Sequence, residues 1–153
     1  MRRAGVTFLE LMVVIVIIGV IAMMGFPKVR SAIQKTNVRS ARVAAGTYVA
    51  TARQAAIQRG CRGVVHFTAG ANGTVWVTVC PRMTTAGSGT IDTVGVVSKL
   101  AKLYSVTMSQ TLDSVQFDPR GLSITAAQSS VAFTGTDGSR DSILINSLGK
   151  VVR

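Results

Sequence analysis

Residues 6–26 read V-T-F-L-E-L-M-V-V-I-V-I-I-G-V-I-A-M-M-G-F, and Glu10 is the only ionisable side chain among them. As a helix, this block would be about 31 Å long at roughly 1.5 Å per residue, close to the thickness of the hydrocarbon core of a bilayer. A secretory signal peptide has a shorter apolar region before a cleavage site of small residues, whereas this block runs into Pro27 and Lys28. The sequence therefore predicts a membrane-spanning helix, and an uncleaved signal anchor is the simplest interpretation.

The overall composition narrows the classes of protein that fit the chain. It has 153 residues, of which 48% are hydrophobic, and its 17 Lys and Arg against 6 Asp and Glu give a formal net charge of +11. The mean hydropathy of +0.42 excludes a disordered basic tail, since such chains are poor in apolar residues. The concentration of the apolar excess in one block argues against a compact cytosolic enzyme. The length suits one domain with an added membrane element.

The charges beside the apolar block leave its orientation open. Arg2 and Arg3 precede it and favour a cytoplasmic N-terminus, whereas Lys28 and Arg30 follow it and favour the opposite arrangement. Basic residues continue without one acid through Arg59. Such a run is typical of a solvated helix face, and it also suits anionic lipid headgroups or acidic protein surfaces.

The two cysteines, Cys61 and Cys80, lie 19 positions apart, with no C-x-x-C motif. One interpretation is a disulfide in an oxidising compartment, and the other is a pair of buried, reduced thiols. We favour the disulfide, which would close a loop of about 20 residues. A disulfide would place the C-terminal part of the chain outside the cytoplasm.

A carboxylate inside an apolar block requires an explanation. An acidic residue costs about 2.5–3.5 kcal/mol at the centre of a membrane and less near the interface. Glu10 lies near the start of the block, so an interfacial position is one interpretation. No cation follows before Lys28, and the other interpretation is therefore that a positive charge on another chain pairs with Glu10.

The same residues resemble the class III signal of type IV prepilins. The family has a short basic leader ending in glycine, here Gly5, and a glutamate five places beyond the cleavage site, here Glu10, followed by an apolar run that closes here at Pro27. The resemblance implies that prepilin peptidase cuts between Gly5 and Val6 and methylates the new amine of Val6. It also implies that Glu10 pairs with the N-terminal amine of a neighbouring subunit. Val6 departs from the Phe or Met that is commoner in the family.

Beyond the apolar block, the sequence predicts that the helix continues to Arg59, with a kink at Pro27 and a stop at Gly60. The predicted organisation is a leader over residues 1–5, a helix over 6–59 with its transmembrane segment at 6–26, and a β-rich domain over 60–153. The apolar stripe predicted for the second half of the helix comprises Val29, Ile33, Val43, Tyr48, Ala52 and Ala55.

After Gly60 the hydrophobic period changes to two. Residues 64–67 and 74–79, separated by a turn at Asn72-Gly73, predict a β-hairpin. Residues 82–93 predict an exposed loop, and Val94–Met108 is ambiguous between helix and strand. Further strands are predicted at Ser114–Phe117, Leu122–Ala126, Ser130–Phe133, Ser142–Asn146 and Lys150–Arg153. The fold class is α+β, a long N-terminal helix packed on an antiparallel sheet.

The second half resembles the minor pseudopilins of the FimT-like and general secretion pathway protein H type. Phe117–Gly121 is similar to their phenylalanine-x-proline-x-glycine segment, and Ile145–Val151 is similar to their closing strand. The resemblance implies the type IV pilin-like fold. It also implies other pilin or pseudopilin subunits, prepilin peptidase, an inner-membrane assembly platform and the lipid bilayer as partners.

No residue pattern indicates an enzyme, a cofactor or a metal site. His66, the only histidine, lies within a predicted strand, and no nucleophile or proton donor is positioned for it by the sequence. Asp137, Ser139 and Asp141 have a faint calcium-loop spacing, but a turn built on Asp137 and Gly138 explains it better.

Two functions follow from these patterns. The first is a non-enzymatic subunit that primes or caps a type IV pilus or a type II secretion pseudopilus, anchored by a single pass in the inner membrane with its C-terminal domain periplasmic. The second is capture of double-stranded DNA in natural transformation, because some FimT-like proteins bind DNA through a C-terminal G-R-x-R motif. Here the candidates are Lys150 and Arg153. Lys150 stands where the motif has its first Arg, and Arg153 lies one position beyond the place of the second Arg.

Overall fold

The computed structural model describes residues 7–80 and 92–152. The chain divides into two compact units, Met1–Ile33 and Gln34–Arg153. The first helix contributes to both units. In chain order the elements are α1 (Phe8–Arg59), β1 (Gly63–Phe67), β2 (Val75–Val79), β3 (Asp92–Ser98), α2 (Leu100–Leu103), β4 (Val106–Gln110), β5 (Ser114–Phe117), β6 (Ser129–Gly135), β7 (Arg140–Ile145) and β8 (Val151–Val152).

Helix α1 has 52 residues and continues through Pro27. Its C-terminal stop is a Schellman motif: Gly60 N–H donates to Ile57 O at 3.4 Å and Cys61 N–H donates to Ala56 O at 3.3 Å. Gly60 takes φ +62°, a conformation that glycine adopts without a Cβ penalty. The predicted end at Arg59 is confirmed, and a kink at Pro27 stays a prediction.

The strands form two antiparallel sheets of four strands each. The first sheet has the order β3-β2-β1-β5, and the second has the order β4-β6-β7-β8. A bridge between Gly70 and Met108 connects the β1–β2 loop to the second sheet, with Gly70 N–H donating to Met108 O at 2.7 Å. The predicted α+β class with antiparallel strands is confirmed.

The second half of α1 packs on both sheets through a row of small residues. Its buried positions are Val38, Ala41, Ala45, Val49, Ala52, Ala55 and Ala56. The predicted stripe was correct at Ala52 and Ala55, and Tyr48 is partly buried against the core. It was wrong at Val29, Ile33 and Val43, which are 57%, 53% and 57% exposed. Alanines decide the buried face because they let the helix axis approach the strands closely, whereas larger aliphatic residues would hold it away.

The closeness of that approach is visible at Gly63 in β1. A Cβ built on Gly63 would lie 2.4 Å from the backbone oxygen of Ala52 and 3.0 Å from Ala56 Cβ. Near the other end of the packed segment, a Cβ on Gly135 of β6 would lie 3.1 Å from Val38 Cγ2. The partly buried ion pair of Arg42 with Asp141, at 2.9 Å, joins α1 to β7 between these points.

Most predicted strands are present, and the ambiguous stretch Val94–Met108 resolves into the end of β3, then α2, then the start of β4. The strand predicted at Leu122–Ala126 is wrong. This segment meets β5 at an isolated bridge between Phe117 and Ser123, with Ile124 N–H donating to Gln116 O at 2.9 Å. Side chains then interrupt the ladder: Thr125 Oγ1 accepts from Gln116 N–H at 3.1 Å, and Ser123 Oγ accepts from Thr125 N–H at 3.2 Å. Of the loop predicted at 82–93, residues 92 and 93 belong to β3, and the rest lies outside the described residues.

The close contact predicts opposite effects for two glycine substitutions. Gly63→Ala should destabilise the domain by roughly 1–3 kcal/mol, because the new methyl overlaps the backbone of α1. Gly46→Ala in α1 should stabilise it by about 0.5–1 kcal/mol, since a Cβ there meets nothing within 4 Å and alanine favours helix. Denaturant unfolding of the full chain in detergent measures both. Equal effects of the two substitutions would contradict the close packing of α1 on β1.

Candidate functional site

Helix α1 begins with an N-cap at Thr7. Thr7 Oγ1 accepts a hydrogen bond from Glu10 N–H at 3.2 Å, and Leu11 N–H donates to Thr7 O at 3.2 Å. Thr7 is therefore the N-cap and Glu10 occupies the third helical position, the arrangement S/T-x-x-E that is typical of helix starts. The sequence reasoning missed Thr7, although the T-x-x-E spacing was there to find it.

The side chain of Glu10 is exposed, and within residues 7–80 and 92–152 it forms no ion pair. Gly5 and Val6, the predicted processing residues, lie outside the described residues. The predicted pairing of Glu10 with a neighbouring amine therefore stays a prediction. A carboxylate in the first turn also interacts favourably with the helix dipole.

The side chains around Glu10 are apolar on every side of the helix. The consecutive residues Ile15, Val16 and Ile17 are 59%, 65% and 52% exposed, and successive residues of a helix point about 100° apart. The helix contains an 18-residue window of mean hydropathy 2.7, of which 0% is buried inside the structure, so it is long and apolar enough to cross a membrane. A helix that is hydrophobic all round requires an apolar surrounding, either lipid or other helices.

A disulfide joins Cys61 to Cys80, whose Cα atoms are 5.2 Å apart. Cys61 follows the end of α1 and Cys80 follows the end of β2, and Cys80 N–H donates to Arg62 O at 2.9 Å. The bond therefore fastens the open end of the β1–β2 hairpin to the C-terminus of the long helix. The two cysteines therefore form the disulfide expected from the sequence and are not a pair of reduced thiols.

The Phe-x-Pro-x-Gly segment forms a compact loop. Asp118 Oδ1 accepts from Arg120 N–H at 2.9 Å and from Leu122 N–H at 2.8 Å. Asp118 N–H donates to Leu122 O, and Gly121 N–H donates to Asp118 O, each at 2.9 Å. Gly121 takes φ +78°. The carboxylate thus organises the loop backbone.

Residues 146–150 repeat this construction. Asn146 Oδ1 accepts from Leu148 N–H at 3.1 Å and from Lys150 N–H at 2.8 Å. Asn146 N–H donates to Lys150 O at 3.0 Å, and Gly149 N–H, with φ +79°, donates to Asn146 O at 2.8 Å. The shared sequence signal is an Asp or Asn followed by a glycine three places later.

The two loops lie side by side. A Cβ on Gly149 would lie 2.5 Å from Phe117 Cε1 and 3.2 Å from Ser123 Cβ. A Cβ on Gly121 would lie 2.7 Å from Ile57 Cδ1 and 3.1 Å from Arg53 Nε. The positive φ favours glycine at both positions, and at Gly149 the contact with the Phe117 ring adds a steric reason.

Three exposed cations lie at this pair of loops, two on the loops themselves and one on α1. Arg120 and Lys150 are exposed members of the two loops, and Arg53 of α1 is exposed with its Nε beside Gly121. Arg153, the other predicted DNA-binding residue, lies outside the described residues. The sequence reasoning missed Arg53 and Arg120, because their proximity to the C-terminal loop depends on the fold.

His66 has a structural environment. Its Nε2 lies 2.9 Å from Thr78 Oγ1, and its ring stacks on Trp76 with a centroid distance of 4.9 Å and an interplanar angle of 11°. Partial burial lowers the pKa of His66 below its ordinary value. Within the described part of the chain, no cluster of three or more His, Cys, Asp or Glu side chains could hold a metal ion. Asp137 instead organises the β6–β7 turn, where its Oδ1 accepts from Ser139 N–H at 3.0 Å.

Comparison with known proteins gives a match to the N-terminal segment of the chain and a match to its fold. The family model described as the prokaryotic N-terminal methylation motif matches residues 1–26. A search among curated proteins finds no significant match to the sequence.

The structure resembles that of FimU, a type IV minor pilin of Pseudomonas aeruginosa strain PAO1, in two crystal forms. With the P21 form the TM-score is 0.57 at 11% identity, covering 76% of this chain and 87% of FimU. With the P65 form it is 0.50 at 12% identity, covering 74% of this chain and 90% of FimU. The fold is that of type IV pilins, and the chain carries their methylation motif. Motif and fold together are consistent with a type IV pilin-like minor pseudopilin.

The lowered pKa of His66 predicts that stability depends on pH in one direction. The unfolded chain takes up a proton near pH 6.5, before the folded state does, so the free energy of unfolding should fall as the pH drops from about 7 to about 5.5. In His66→Gln, this pH-dependent contribution to the free energy of unfolding should be absent. Most carboxylates stay ionised over this pH range, so they add little to the difference between the two proteins. Thermal unfolding across this range measures it, and identical pH profiles of the two proteins would contradict the assignment.

Proposed function

We propose that the chain is a structural, non-enzymatic subunit that primes or caps a type IV pilus or a type II secretion pseudopilus. The observation that carries the proposal is the exposed carboxylate of Glu10 on a helix whose other side chains there are exposed and apolar, within the range that the methylation-motif model matches. Such a helix is not stable in water alone, so it needs lipid before assembly and other helices after it.

The proposed mechanism is non-covalent after a single processing step. Prepilin peptidase removes residues 1–5 and methylates the amine of Val6, which creates a cation at the start of the helix. Glu10 of one subunit then pairs with the Val6 amine of its neighbour. The two charges offset part of the free energy that each loses on leaving water, and removal of one strands the other. Apolar contacts between neighbouring helices supply most of the remaining stabilisation.

The proposed location is the inner membrane, crossed once by residues 6–26, with the C-terminal domain on the periplasmic side. The disulfide between Cys61 and Cys80 supports this side, because disulfides persist in oxidising compartments. The partners implied are other pilin or pseudopilin subunits, prepilin peptidase and an inner-membrane assembly platform.

Glu10 has two separable roles, and two substitutions distinguish them. A Glu or Gln at the third helical position can bond back to the backbone N–H of the N-cap residue, here Thr7. Glu10→Gln keeps a side chain with this capacity, whereas Glu10→Ala removes it, and both remove the charge. If the ion pair drives assembly, both variants should insert and be cleaved normally yet enter filaments at least about tenfold less than the unmodified chain. Quantitative immunoblotting of sheared filaments against the membrane fraction measures incorporation.

Mass spectrometry of the membrane fraction provides the control for processing. The unmodified chain and both variants should begin at Val6 and carry one methyl group there. Normal incorporation of Glu10→Gln together with loss in Glu10→Ala would assign the effect to helix capping and contradict the ion-pair mechanism. A mature chain that begins at Met1 would contradict the proposed function itself.

The C-terminal loops favour a second candidate, capture of double-stranded DNA. They bring the exposed side chains of Arg120 and Lys150 together with Arg53 on one part of the domain. The group also contains one acid, Asp118, whose Oδ1 accepts the hydrogen bonds from Arg120 N–H and Leu122 N–H. Clustered cations of this kind neutralise phosphates without reading sequence.

Salt dependence tests this second function. If the group contacts DNA, the logarithm of the association constant should fall with the logarithm of salt concentration by about 0.9 per phosphate contact. Arg120→Ala with Lys150→Ala should reduce that slope by about 2, and Lys99→Ala with Lys102→Ala, at a different surface, should leave it unchanged. Fluorescence anisotropy of a labelled duplex with the full chain in detergent measures the slope. No binding at low salt would leave assembly as the only function.

A further inference from the structure

The third strand of the first sheet departs from regular pairing at a bulge. Residues 95–97 of β3 stand opposite the single residue Trp76 of β2. Gly95 takes φ +78°, a conformation that lets the strand turn outward. As a result Val96 is 75% exposed and Val97 is 52% exposed. Two large aliphatic side chains are therefore presented to solvent at one point.

Contacts with α1 hold this bulge in place. Tyr48 OH donates to Val96 O at 3.2 Å, and the ring of Tyr48 packs against the hydrophobic core. At the start of the same strand, Asp92 forms an ion pair with Arg59. Within the described sheet β3 is an edge strand, and a bulge at an edge hinders the addition of another strand. A partner at this place would therefore contact the side chains of the bulge and not continue the sheet.

A groove of about 450 Å³ lies beside the bulge. Its walls include Tyr48, Val96, Val97, Lys99, Lys102 and Leu103, and we refer to these six residues as the bulge surface. Leu103 is 67% exposed. Lys99 and Lys102 are exposed and form no ion pair with any residue in the described ranges. The bulge surface thus combines three exposed apolar side chains with two free positive charges.

A second copy of this chain complements that surface poorly, since it carries only 6 acidic residues against 17 basic ones. Each of the five aspartates of the chain is already engaged: Asp92 and Asp141 are in ion pairs, and Asp113, Asp118 and Asp137 accept side-chain or backbone hydrogen bonds. The remaining acid, Glu10, lies in the apolar part of α1. With a net charge of +11, two copies would also repel each other.

We propose that the bulge surface is the docking site for a different protein that presents carboxylates beside apolar side chains. Aliphatic contacts with Val96, Val97 and Leu103 supply the burial, and Lys99 and Lys102 select the acidic partner. Nucleic acid is disfavoured because it offers phosphates but no aliphatic surface to cover the valines. The proposal does not rest on cleavage of the chain or on the pairing of Glu10, so it can fail or hold independently of the proposed function.

The probe for the test is a labelled 12-residue peptide of alternating Val and Glu, and its counterpart of alternating Val and Lys is the comparison. Each peptide is titrated with the full chain in neutral detergent, and binding is measured by fluorescence anisotropy. The acidic peptide should bind at least about tenfold more tightly at low salt. Lys99→Glu with Lys102→Glu should weaken its binding by about tenfold or more. Val96→Ser with Leu103→Ser should weaken it while retaining the salt dependence.

The matched control carries the same change of net charge elsewhere on the domain. Arg62→Glu with Arg140→Glu replaces two exposed cations outside the bulge surface and should leave acidic-peptide binding within about twofold. Equal losses in both charge-reversed variants would show attraction to net charge alone and overturn the proposal. It is also overturned if sedimentation detects a dimer that Val96→Ser disrupts, or if duplex DNA binding falls in Lys99→Glu with Lys102→Glu.

Discussion

The close approach of α1 to the two sheets is the constraint on which the globular part of this protein depends. Ala41, Ala45 and Ala52 are fully buried, and Gly63 has no room for a methyl group beneath Ala52. Small residues on both sides allow the backbones to approach, and larger side chains of the strands, such as Phe67 and Phe133, are buried in the same core cluster. The disulfide and the Schellman motif then hold the C-terminal end of the helix where this packing requires it.

The same helix presents two different surfaces along its length. Up to residue 26 its side chains are apolar on every side, whereas from Val38 onward a row of small residues is buried and cations such as Arg39 and Arg53 line the exposed positions. The first pattern suits lipid or a bundle of like helices, and the second suits a helix packed on a sheet. Glu10 is the exception in the first pattern. Its backbone completes the helix start with Thr7, which leaves its carboxylate free for another role.

Excess positive charge organises the possible contacts of the domain. The few acids are used internally, in ion pairs such as Arg42 with Asp141 and in loop hydrogen bonds at Asp118. Among the exposed cations, Arg53, Arg120 and Lys150 lie at the pair of loops and Lys99 and Lys102 at the bulge surface, whereas others, such as Arg62 and Arg140, lie outside both groups. The two groups differ in their surroundings, which are polar backbone at the loops and aliphatic side chains at the bulge surface.

Local signals in the sequence were sufficient for the extent of the helix, its stop at Arg59-Gly60, the β1–β2 hairpin and the Asp137-Gly138 turn, because each depends on residues within a few positions of one another. The methylation motif and Glu10 were equally readable, as they too are local. The buried face of α1 could not be read from local signals, because alanines carry little hydrophobic signal. Their burial depends on the strands that pack on them. Only the tertiary structure decided three other features: the contact between the Asp118 and Asn146 loops, the bulge that exposes Val96, and the position of Arg53 beside Gly121. Each of them joins segments that are distant in the chain.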